Sequence, residues 1–368
     1  MPFQLSDEWK YGMFRLLEAG GRVLVVGPPD VGKSTFCLAL ANACVVQGKR
    51  CVLLDADMGQ SEVGPPGTLG LTHLDQAVAS FADLQADELF FVGSTSPVGH
   101  LLQCVTGIAR LSASAAHLDP HLTLIDMPGF AVGHMAATLI DDAIRVADVD
   151  YVVLLRREGQ MGSVHAVLRG LRRPEQIVLP PASSVLRRSQ DVRSTRRRLK
   201  FASYLAEAKE YPFDGRACGL PQGGVFMGAN LPMNERLAIE RVLGRDVVYA
   251  ETVEGRTLIV TRTPTGLKEQ EKLPDALGRT DYMCVPETWF ANVLVGLGGE
   301  DGRHHAAGVL KRVDFRSEHY HIVTPLKRPG VVKQILLGSM RIALDGRELG
   351  RVAPGELFRP VTGRSGHH

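Results

Sequence analysis

Short runs of continuous apolar residues alternate along the first half of the chain with longer stretches that are apolar at helical spacing. The apolar runs lie at 22–26, 51–55, 88–92, 121–126, 151–155 and 176–179. The helical stretches lie near 99–117, 134–147 and 161–172. Strands that are apolar throughout must be covered on both faces, and the helices between them supply the cover. The pattern therefore predicts an α/β fold in which a mostly parallel sheet is covered by helices.

The pattern changes after Pro180. A basic helical segment at about 185–210 is followed by a Gly- and Pro-rich passage, which predicts a domain boundary near 214. From Gly224 onward, short β-rich runs are joined by turn residues, with one helix predicted at 233–243. The predicted parts are an N-terminal helical lead-in (1–20), a helix-and-sheet domain that includes the basic segment (21–214) and a smaller β-rich C-terminal domain (215–368).

Length and composition exclude several classes of protein. The chain has 368 residues, 45% of them hydrophobic and 22% charged, which is enough apolar material for one large or two medium cores. No stretch approaches the roughly 20 apolar residues of a membrane-spanning helix, and the start lacks the layout of a signal peptide. We therefore expect a cytoplasmic protein without membrane association. The cysteines form no CxxC pair, and we expect core positions for Cys37, Cys44, Cys51, Cys104, Cys218 and Cys284.

Basic residues are concentrated in one segment, although the whole chain carries a net charge of only +2. Between Leu171 and Lys200, nine arginines and lysines accompany two acidic residues, Glu175 and Asp191. Such a run is typical of a solvated helix face, but it also suits phosphate recognition, because the planar guanidinium of arginine fits phosphate oxygens. The charge run alone does not distinguish a solvated face from a phosphate-binding one, so the neighbouring motifs are needed.

Residues 27–34 read GPPDVGKS and match the pattern GxxxxGK[ST]. The match lies between a predicted strand and a predicted helix, which is the context that distinguishes a phosphate-binding loop from a chance glycine turn. Backbone N–H groups of the loop would hold phosphate oxygens, Lys33 would neutralise them, and the Ser34 hydroxyl would bind Mg²⁺. The predicted nucleotide-binding residues are Gly27, Pro28, Pro29, Asp30, Val31, Gly32, Lys33, Ser34 and Thr35.

Three carboxylates stand at the carboxyl ends of predicted strands, the edge at which open α/β sheets bind ligands. Asp55 ends the second apolar run and Asp57 follows it, while Asp126 ends the fourth, as in a Walker B motif. Phosphoryl transfer requires a carboxylate near Mg²⁺ and another that faces the attacking group. These features predict a P-loop NTPase without identifying the phosphate acceptor.

Five segments in order resemble the polynucleotide 5′-hydroxyl-kinases of the Clp1 and Grc3 group, in their compact archaeal or bacterial form. They are GPPDVGKST from 27, LDADMGQSEVGPPGTLGL from 54, FFVGSTSPVGHL from 90, IDMPGF from 125 and the arginine-rich segment. The resemblance covers about residues 20–210 and is loose beyond Gly215. It implies an enzyme that transfers the γ-phosphate of ATP, with Mg²⁺, to the 5′-hydroxyl of RNA. Single-stranded DNA stays open as a second acceptor, and RNA-processing proteins are implied as partners.

The resemblance also implies roles for individual residues. Asp57 would activate the 5′-hydroxyl, and the arginine-rich segment would form a lid over the triphosphate, with Arg188 and Arg196 as further candidates there. The implied catalytic residues are Lys33, Asp57, Arg193 and Arg197. The implied substrate-binding residues are Gln60, Thr68, Thr95, Ser96 and Phe130. The implied metal ligands are Ser34, Asp55 and Asp126.

Two departures from the family pattern limit this transfer. The family frequently has Trp after the glycine of its Walker B region, where this chain has Phe130, which offers a smaller stacking face. The eukaryotic members carry a β-domain before the P-loop, whereas about 20 residues precede it in this sequence. Partner contacts attributed to that domain are therefore not carried over.

Two other functions stay open from the sequence. One is a non-catalytic ATP-binding scaffold in an RNA-processing complex, and the other is a P-loop ATPase or GTPase that acts as a conformational switch. Lys33, Asp57 and the lid arginines together favour the kinase over the scaffold. The arginine lid and Thr95-Ser96-Pro97 favour it over the switch. His319 and His321 lack a third metal ligand and are expected at the surface. His100 follows Thr95-Ser96-Pro97 closely enough to be a candidate near the acceptor.

Overall fold

The computed structural model describes residues 5–157, 159–169, 171–182, 189–274, 278 and 281–352. The chain divides into two compact units, Met1–Ser203 and Tyr204–His368. The division falls before the boundary predicted near 214, because strand β8 (Lys209–Asp214) pairs with strand β15 (His319–Thr324) of the second unit.

The first unit is a seven-stranded sheet with helices on both faces. Its strands are β1 (Gly21–Val26), β2 (Cys51–Asp55), β3 (Thr68–Leu74), β4 (Glu88–Phe91), β5 (Leu122–Asp126), β6 (Tyr151–Leu155) and β7 (Glu175–Leu179). Its helices are α1 (Asp7–Ala19), α2 (Lys33–Val46), α3 (Leu101–Ala116), α4 (His134–Val146), α5 (Gly162–Leu168) and all but the last two residues of α6 (Gln190–Leu205). The strand order is β4-β3-β2-β5-β1-β6-β7.

All neighbouring strands of this sheet are parallel except those that pair with β3, which runs antiparallel to β2 and β4. The predicted fold class is confirmed, but β3 is absent from the sequence prediction. Gly70 lies inside this strand and is paired on both sides, and a Cβ there would lie 2.2 Å from the carbonyl oxygen of Val63. The strand and the loop before it approach each other closely at this point, so only glycine fits. The strand therefore lacks a side chain that would have contributed to its sequence pattern.

Two apolar layers cover the sheet. On one face, α1 and α2 pack through Trp9 and Phe36, whose rings meet edge to face with centroids 5.1 Å apart. On the other face, α3, α4 and α5 cover Leu24, Leu54 and Ile125. Five cysteines are buried free thiols, and the sixth, Cys218, is half-buried, so the prediction of core positions is confirmed for those five.

The second unit is rich in β-structure, as predicted. Its remaining strands are β9 (Ala229–Asn230), β10 (Val247–Val253), β11 (Arg256–Thr261), β12 (Tyr282–Pro286), β13 (Val293–Gly298), β14 (His304–Asp314), β16 (Gln334–Ile342) and β17 (Glu348–Arg351). Its helices are α7 (Met233–Leu243), which the sequence predicts residue for residue, and the short α8 (Leu267–Gln270). One set of strands has the order β17-β16-β13-β14-β15-β8, and a second sheet has the order β12-β11-β10-β9.

No helix in the described part of the chain has both the length and the apolar character needed to cross a membrane.

Candidate active site

The phosphate-binding loop connects β1 to α2, as predicted. Backbone conformations with positive φ at Asp30 (57°) and Gly32 (95°) turn the chain into the helix. The N–H of Phe36 donates to the carbonyl of Gly32 at 2.8 Å, so the first helical turn starts there. The N–H groups of the residues that precede Phe36 in this turn have no carbonyl partner within the helix, as at any helix start. The loop and the helix start therefore form a concave surface of hydrogen-bond donors suited to phosphate oxygens.

Close packing fixes the position of this loop. A Cβ on Gly27 would lie 2.5 Å from the carbonyl oxygen of Leu155. A Cβ on Gly129, in the segment after β5, would lie 2.9 Å from the ring of Pro29. Both glycines are therefore required by contact with neighbouring backbone or ring atoms. Lys33 is buried, and its ammonium donates to the carbonyl of Pro28 at 3.2 Å, so it lies across the loop.

Asp126 ends β5 beside the phosphate-binding loop. Its Oδ1 atom is buried and has no hydrogen-bond partner among the described residues, while a hydrogen bond from Ser34 reaches the carboxyl group. Burial raises the pKa of Asp126 to about 7, although the charge of Lys33 and the Ser34 bond act to lower it. A buried carboxylate oxygen without a partner, next to a serine hydroxyl, fits the oxygen ligands of Mg²⁺.

Asp55 lies directly opposite Asp126 in the register of the parallel pair β2 and β5. Its Oδ1 accepts the N–H of Asp57 at 3.0 Å. Its Oδ2 accepts the N–H of Glu62 at 2.5 Å, the N–H of Val63 at 2.9 Å and the hydroxyl of Ser61 at 3.2 Å. Burial and the nearby Asp126 charge raise the pKa of Asp55 to about 8. The carboxyl group of Asp55 thus organises the β2–β3 loop, which comprises residues 56–67.

Asp57 is half-buried in the β2–β3 loop and is held through one oxygen atom. Its Oδ1 accepts the N–H groups of Gly59 at 3.0 Å and Gln60 at 2.9 Å. Among the described residues, its Oδ2 has no hydrogen bond. Two carboxylates two residues apart therefore differ in their environment. Asp55 is buried and accepts four hydrogen bonds, whereas Asp57 is oriented by two N–H groups and keeps one oxygen for another partner.

The other residues predicted near the acceptor lie around this loop. The amide of Gln60 donates from Nε2 to the carbonyl of Gly59 at 2.7 Å. Thr68 is buried at the start of β3, and its hydroxyl donates to Pro65 at 2.7 Å. The carbonyl of Thr95 lies 2.8 Å from where a Cβ on Gly59 would stand, so the segment after β4 contacts the β2–β3 loop. The structure thus brings Thr95 next to the Asp57 loop, while the Thr68 hydroxyl forms part of the turn.

The segment after β4 is organised by its own serines. Ser94 accepts the N–H of Ser96 at 3.1 Å, and Ser96 accepts the N–H of Val98 at 3.3 Å. His100 is buried at the start of α3, with Nδ1 3.1 Å from the carbonyl of Val98. Phe130, next to Gly129, is half-buried and packs against the apolar layer formed by α3, α4 and α5.

Helix α6 carries four basic side chains on one face, at helical spacing i, i+3, i+4 and i+7. All four are half-buried, whereas Arg198, on another side of the helix, is exposed. We call these four the arginine face; its members are Arg193, Arg196, Arg197 and Lys200. Arg188, a further lid candidate, lies outside the described residues.

Two members of the arginine face bind one carboxylate of the β2–β3 loop. Glu62 lies 3.0 Å from Arg196 and 2.9 Å from Lys200, and Lys200 also donates to the carbonyl of Ser61. Sequence analysis does not find Glu62, because its partners on α6 are more than 130 residues away along the chain. The only available signal is the four-residue spacing of Arg196 and Lys200, which places both on one helix face.

The histidines contribute no metal site in the described part of the chain, where no group of three or more His, Cys, Asp or Glu could hold a metal ion. In the second unit, His321 lies 3.0 Å from the Glu210 carboxylate and is mostly buried, while Nδ1 of His319 lies 2.5 Å from the Ser317 carbonyl.

The strand order, the phosphate-binding loop and the carboxylates at the strand ends define a P-loop nucleotide-binding protein. Residues 27–207 match the family model of the P-loop of the mRNA cleavage and polyadenylation factor CLP1. This segment is therefore of the Clp1 P-loop type, which confirms the resemblance seen in the sequence.

Similar proteins extend the match beyond the P-loop unit. Polyribonucleotide 5′-hydroxyl-kinases of Pyrococcus horikoshii and Thermococcus kodakarensis are each 26% identical to this chain over 336 residues. These matches cover 91% of this chain and 89% and 92% of the relatives. The Gallus gallus polyribonucleotide 5′-hydroxyl-kinase Clp1 is 30% identical over 213 residues, 55% of this chain and 48% of its own length.

Among solved structures, the complex of Clp1p with Pcf11p contains a chain of the same fold. It superposes with a TM-score of 0.62 at 14% identity, covering 93% of this chain and 80% of that one.

Proposed function

We propose that this protein transfers the γ-phosphate of ATP to the 5′-hydroxyl of RNA with the help of Mg²⁺. The observation that carries the proposal is the orientation of Asp57, whose Oδ1 is fixed by two backbone N–H groups while Oδ2 has no hydrogen bond among the described residues. A general base needs this arrangement, because its reactive oxygen must be placed and still be able to accept a proton. The curated relatives named polyribonucleotide 5′-hydroxyl-kinase support the same reaction.

The phosphates of ATP would lie on the backbone N–H groups of residues 30–35, since Pro28 and Pro29 have no N–H to donate. Lys33 would turn from the Pro28 carbonyl to the phosphate oxygens and neutralise the charge that grows on the leaving oxygen. Ser34 and Asp126 would hold Mg²⁺, which neutralises phosphate charge when bound. Since all the hydrogen bonds of Asp55 go to the β2–β3 loop, we assign it to the positioning of Asp57 rather than to the metal.

The 5′-hydroxyl would enter beside Asp57, which would accept its proton as the oxygen attacks the γ-phosphorus. The bond from that phosphorus to the β–γ bridging oxygen would break, and ADP would leave. Gln60, Thr95 and Ser96 border this position through the contact between Gly59 and the Thr95 carbonyl. Phe130 would stack on the terminal nucleotide. The buried hydroxyl of Thr68 would contribute through the shape of the turn. Arg193 and Arg197 would reach the transferred phosphoryl group and stabilise its charge in the transition state.

Labelling of matched oligonucleotides tests this proposal. The protein is incubated with γ-labelled ATP, Mg²⁺ and RNA or DNA oligomers of one sequence that carry a 5′-hydroxyl, with 5′-phosphorylated RNA as the control. We expect label on 5′-hydroxyl RNA and none on the control. ATP binding without turnover would instead support the scaffold, and release of labelled phosphate without labelled RNA would support the ATPase switch. Labelling of DNA would decide whether single-stranded DNA is a second acceptor. A role alongside RNA-processing protein partners stays a prediction.

A further inference from the structure

We propose that Glu62 is a positioning residue that holds the arginine face of α6 against the β2–β3 loop, so that Arg193 and Arg197 are placed together with Asp57. The catalytic part of this inference rests on the proposed kinase function. The placement of the helix does not.

The side chain of Glu62 is the meeting point of two cations from one helical turn. Arg196 Nη2 lies 3.0 Å and Lys200 Nζ 2.9 Å from its two oxygens. The Glu62 side chain is 19% exposed, against 34% for Arg196 and 25% for Lys200. Ion pairs between partly buried groups are screened less by salt than exposed pairs. The three side chains therefore form a specific contact rather than a loose surface pair.

The backbone of Glu62 is anchored to the end of the sheet. Its N–H donates to Oδ2 of Asp55 at 2.5 Å, and the same carboxyl group accepts the N–H of Asp57 through Oδ1 at 3.0 Å. One buried carboxylate thus fixes both the residue that binds α6 and the residue proposed as general base. A shift of the Glu62 backbone would disturb the hydrogen bonds that also orient Asp57.

The geometry of α6 extends this coupling to the other two arginines. Arg193 and Arg197 lie on the same face as Arg196 and Lys200, at spacings of three and four residues. When Arg196 and Lys200 are held, the rotation and position of the helix are fixed. The Cα atoms of Arg193 and Arg197 are then fixed as well. Glu62 also neutralises part of a cluster of four positive charges. Without it, Arg196 and Lys200 would compete with Arg193 and Arg197 for phosphate oxygens.

A role limited to fold stability gives a different expectation. In that case, loss of Glu62 would lower the melting temperature, and restoring charge complementarity would matter only as far as it restores stability. The positioning role predicts a defect in kcat at saturating ATP and RNA, with ATP affinity nearly unchanged because the phosphate-binding loop is untouched. It also predicts that exchanging the charges of positions 62 and 200 restores part of the function, because one of the two ion pairs is rebuilt while Arg196 is left facing a positive charge.

The test uses the full chain in four forms: wild type, Glu62→Gln, the double variant Glu62→Lys with Lys200→Glu, and Glu18→Gln as the control. Glu18 is exposed on α1 and undergoes the same chemical change. We expect Glu62→Gln to lower kcat by about 5- to 20-fold with less than a twofold change in ATP affinity, in the range of measured coupling between sites. The double variant should recover part of the loss, because it rebuilds the pair with position 200 but not the one with Arg196, and Glu18→Gln should match wild type.

A second measurement does not depend on activity. Limited trypsin cleavage after Arg198, followed by mass spectrometry, reports whether α6 is held on the loop. We expect cleavage to be several-fold faster in Glu62→Gln and intermediate between that variant and wild type in the double variant. Wild-type kcat and cleavage in Glu62→Gln would overturn the proposal, and so would a defect that the charge reversal leaves in place. If wild type labels no RNA, the kinase proposal fails, and the cleavage rates still decide whether Glu62 holds the helix.

Discussion

Two regions of the candidate active site are held in place by different interactions. At the phosphate end, strand register places Asp55 opposite Asp126, and Gly27 and Gly129 are packed against backbone and ring atoms. At the lid end, α6 meets the β2–β3 loop through the ion pairs of Glu62. The first region depends on backbone geometry, whereas the second depends on three charged side chains that are partly open to solvent.

This difference indicates how the work of the site is divided. Backbone contacts of strands and tight loops cannot be rearranged without unfolding the sheet edge, so the phosphate end is formed before any ligand binds. Ion pairs between partly exposed groups contribute about 1 kcal/mol or less each, so the lid end can be changed by local charge alone. Substitutions at the phosphate end should therefore abolish turnover, while those at the lid end should reduce it in steps.

The largest effect is expected for Lys33→Ala at the phosphate end. Its ammonium is the buried positive charge of the phosphate-binding loop, and loss of such an electrostatic contact typically costs about 10²- to 10³-fold in rate. The fold should stay intact, because the Lys33 ammonium is hydrogen-bonded only within the loop itself among the described residues, to the Pro28 carbonyl. Labelling of 5′-hydroxyl RNA measures the loss, with Lys10→Ala on the exposed side of α1 as the control. Wild-type labelling by Lys33→Ala would contradict the assignment of the loop.

The next effect separates the two carboxylates of the β2–β3 loop. Asp57→Asn should keep ATP binding and the melting temperature, because an amide has nearly the same shape, yet lower turnover by roughly 10²-fold or more. Asp55→Asn should act differently, because its new NH₂ group faces N–H donors and an unsatisfied buried group costs about 1 to 3 kcal/mol. Turnover, nucleotide affinity and thermal unfolding of both variants make the comparison. Equal loss of ATP binding and turnover in Asp57→Asn would place Asp57 on the metal instead.

A smaller effect is expected at the lid end. Arg193→Ala or Arg197→Ala should lower kcat at least about tenfold at saturating ATP and RNA, since an arginine on the transferred phosphoryl group stabilises transition-state charge. Arg198→Ala is the matched control, because Arg198 is exposed on another side of the same helix and should affect only salt-sensitive RNA binding. Full kcat in all three variants would show that α6 is a basic docking surface and not a lid.

The contrast between the two regions also explains what sequence analysis could find. The phosphate-binding loop and Asp126 can be predicted from the sequence, because each belongs to a local motif at the end of a strand. The bounds of α7 are readable for the same reason, since its apolar spacing is local. The different environments of Asp55 and Asp57 cannot be predicted from the sequence. Both residues stand at the end of the same strand, and they differ only in which backbone N–H groups of the following loop donate to them.

Contacts between segments that are distant along the chain also cannot be predicted from this sequence. The ion pairs of Glu62 with α6 join parts of the chain more than 130 residues apart, and the spacing of polar and apolar residues does not predict them. Strand β3 is absent from the sequence prediction because Gly70 stands where a strand would carry a side chain. A side chain does not fit there, because its Cβ would collide with the Val63 carbonyl. The sequence thus predicts the phosphate end in more detail than the lid end and the loop that joins them.

The smallest effect is expected for Phe130, which lies next to the phosphate end but is proposed to contact the acceptor. Base stacking on an aromatic ring is worth about 1 to 3 kcal/mol, and the lower end applies because the ring is half-buried against the apolar layer under α3 and α4. Phe130→Ala should therefore raise the KM for RNA about fivefold and spare ATP affinity. Phe130→Trp should lower that KM, since a larger ring offers more stacking area, whereas a purely structural residue would gain nothing from the larger side chain. Steady-state titrations of RNA at saturating ATP provide the measurement, and an unchanged KM in both variants would make Phe130 part of the core alone.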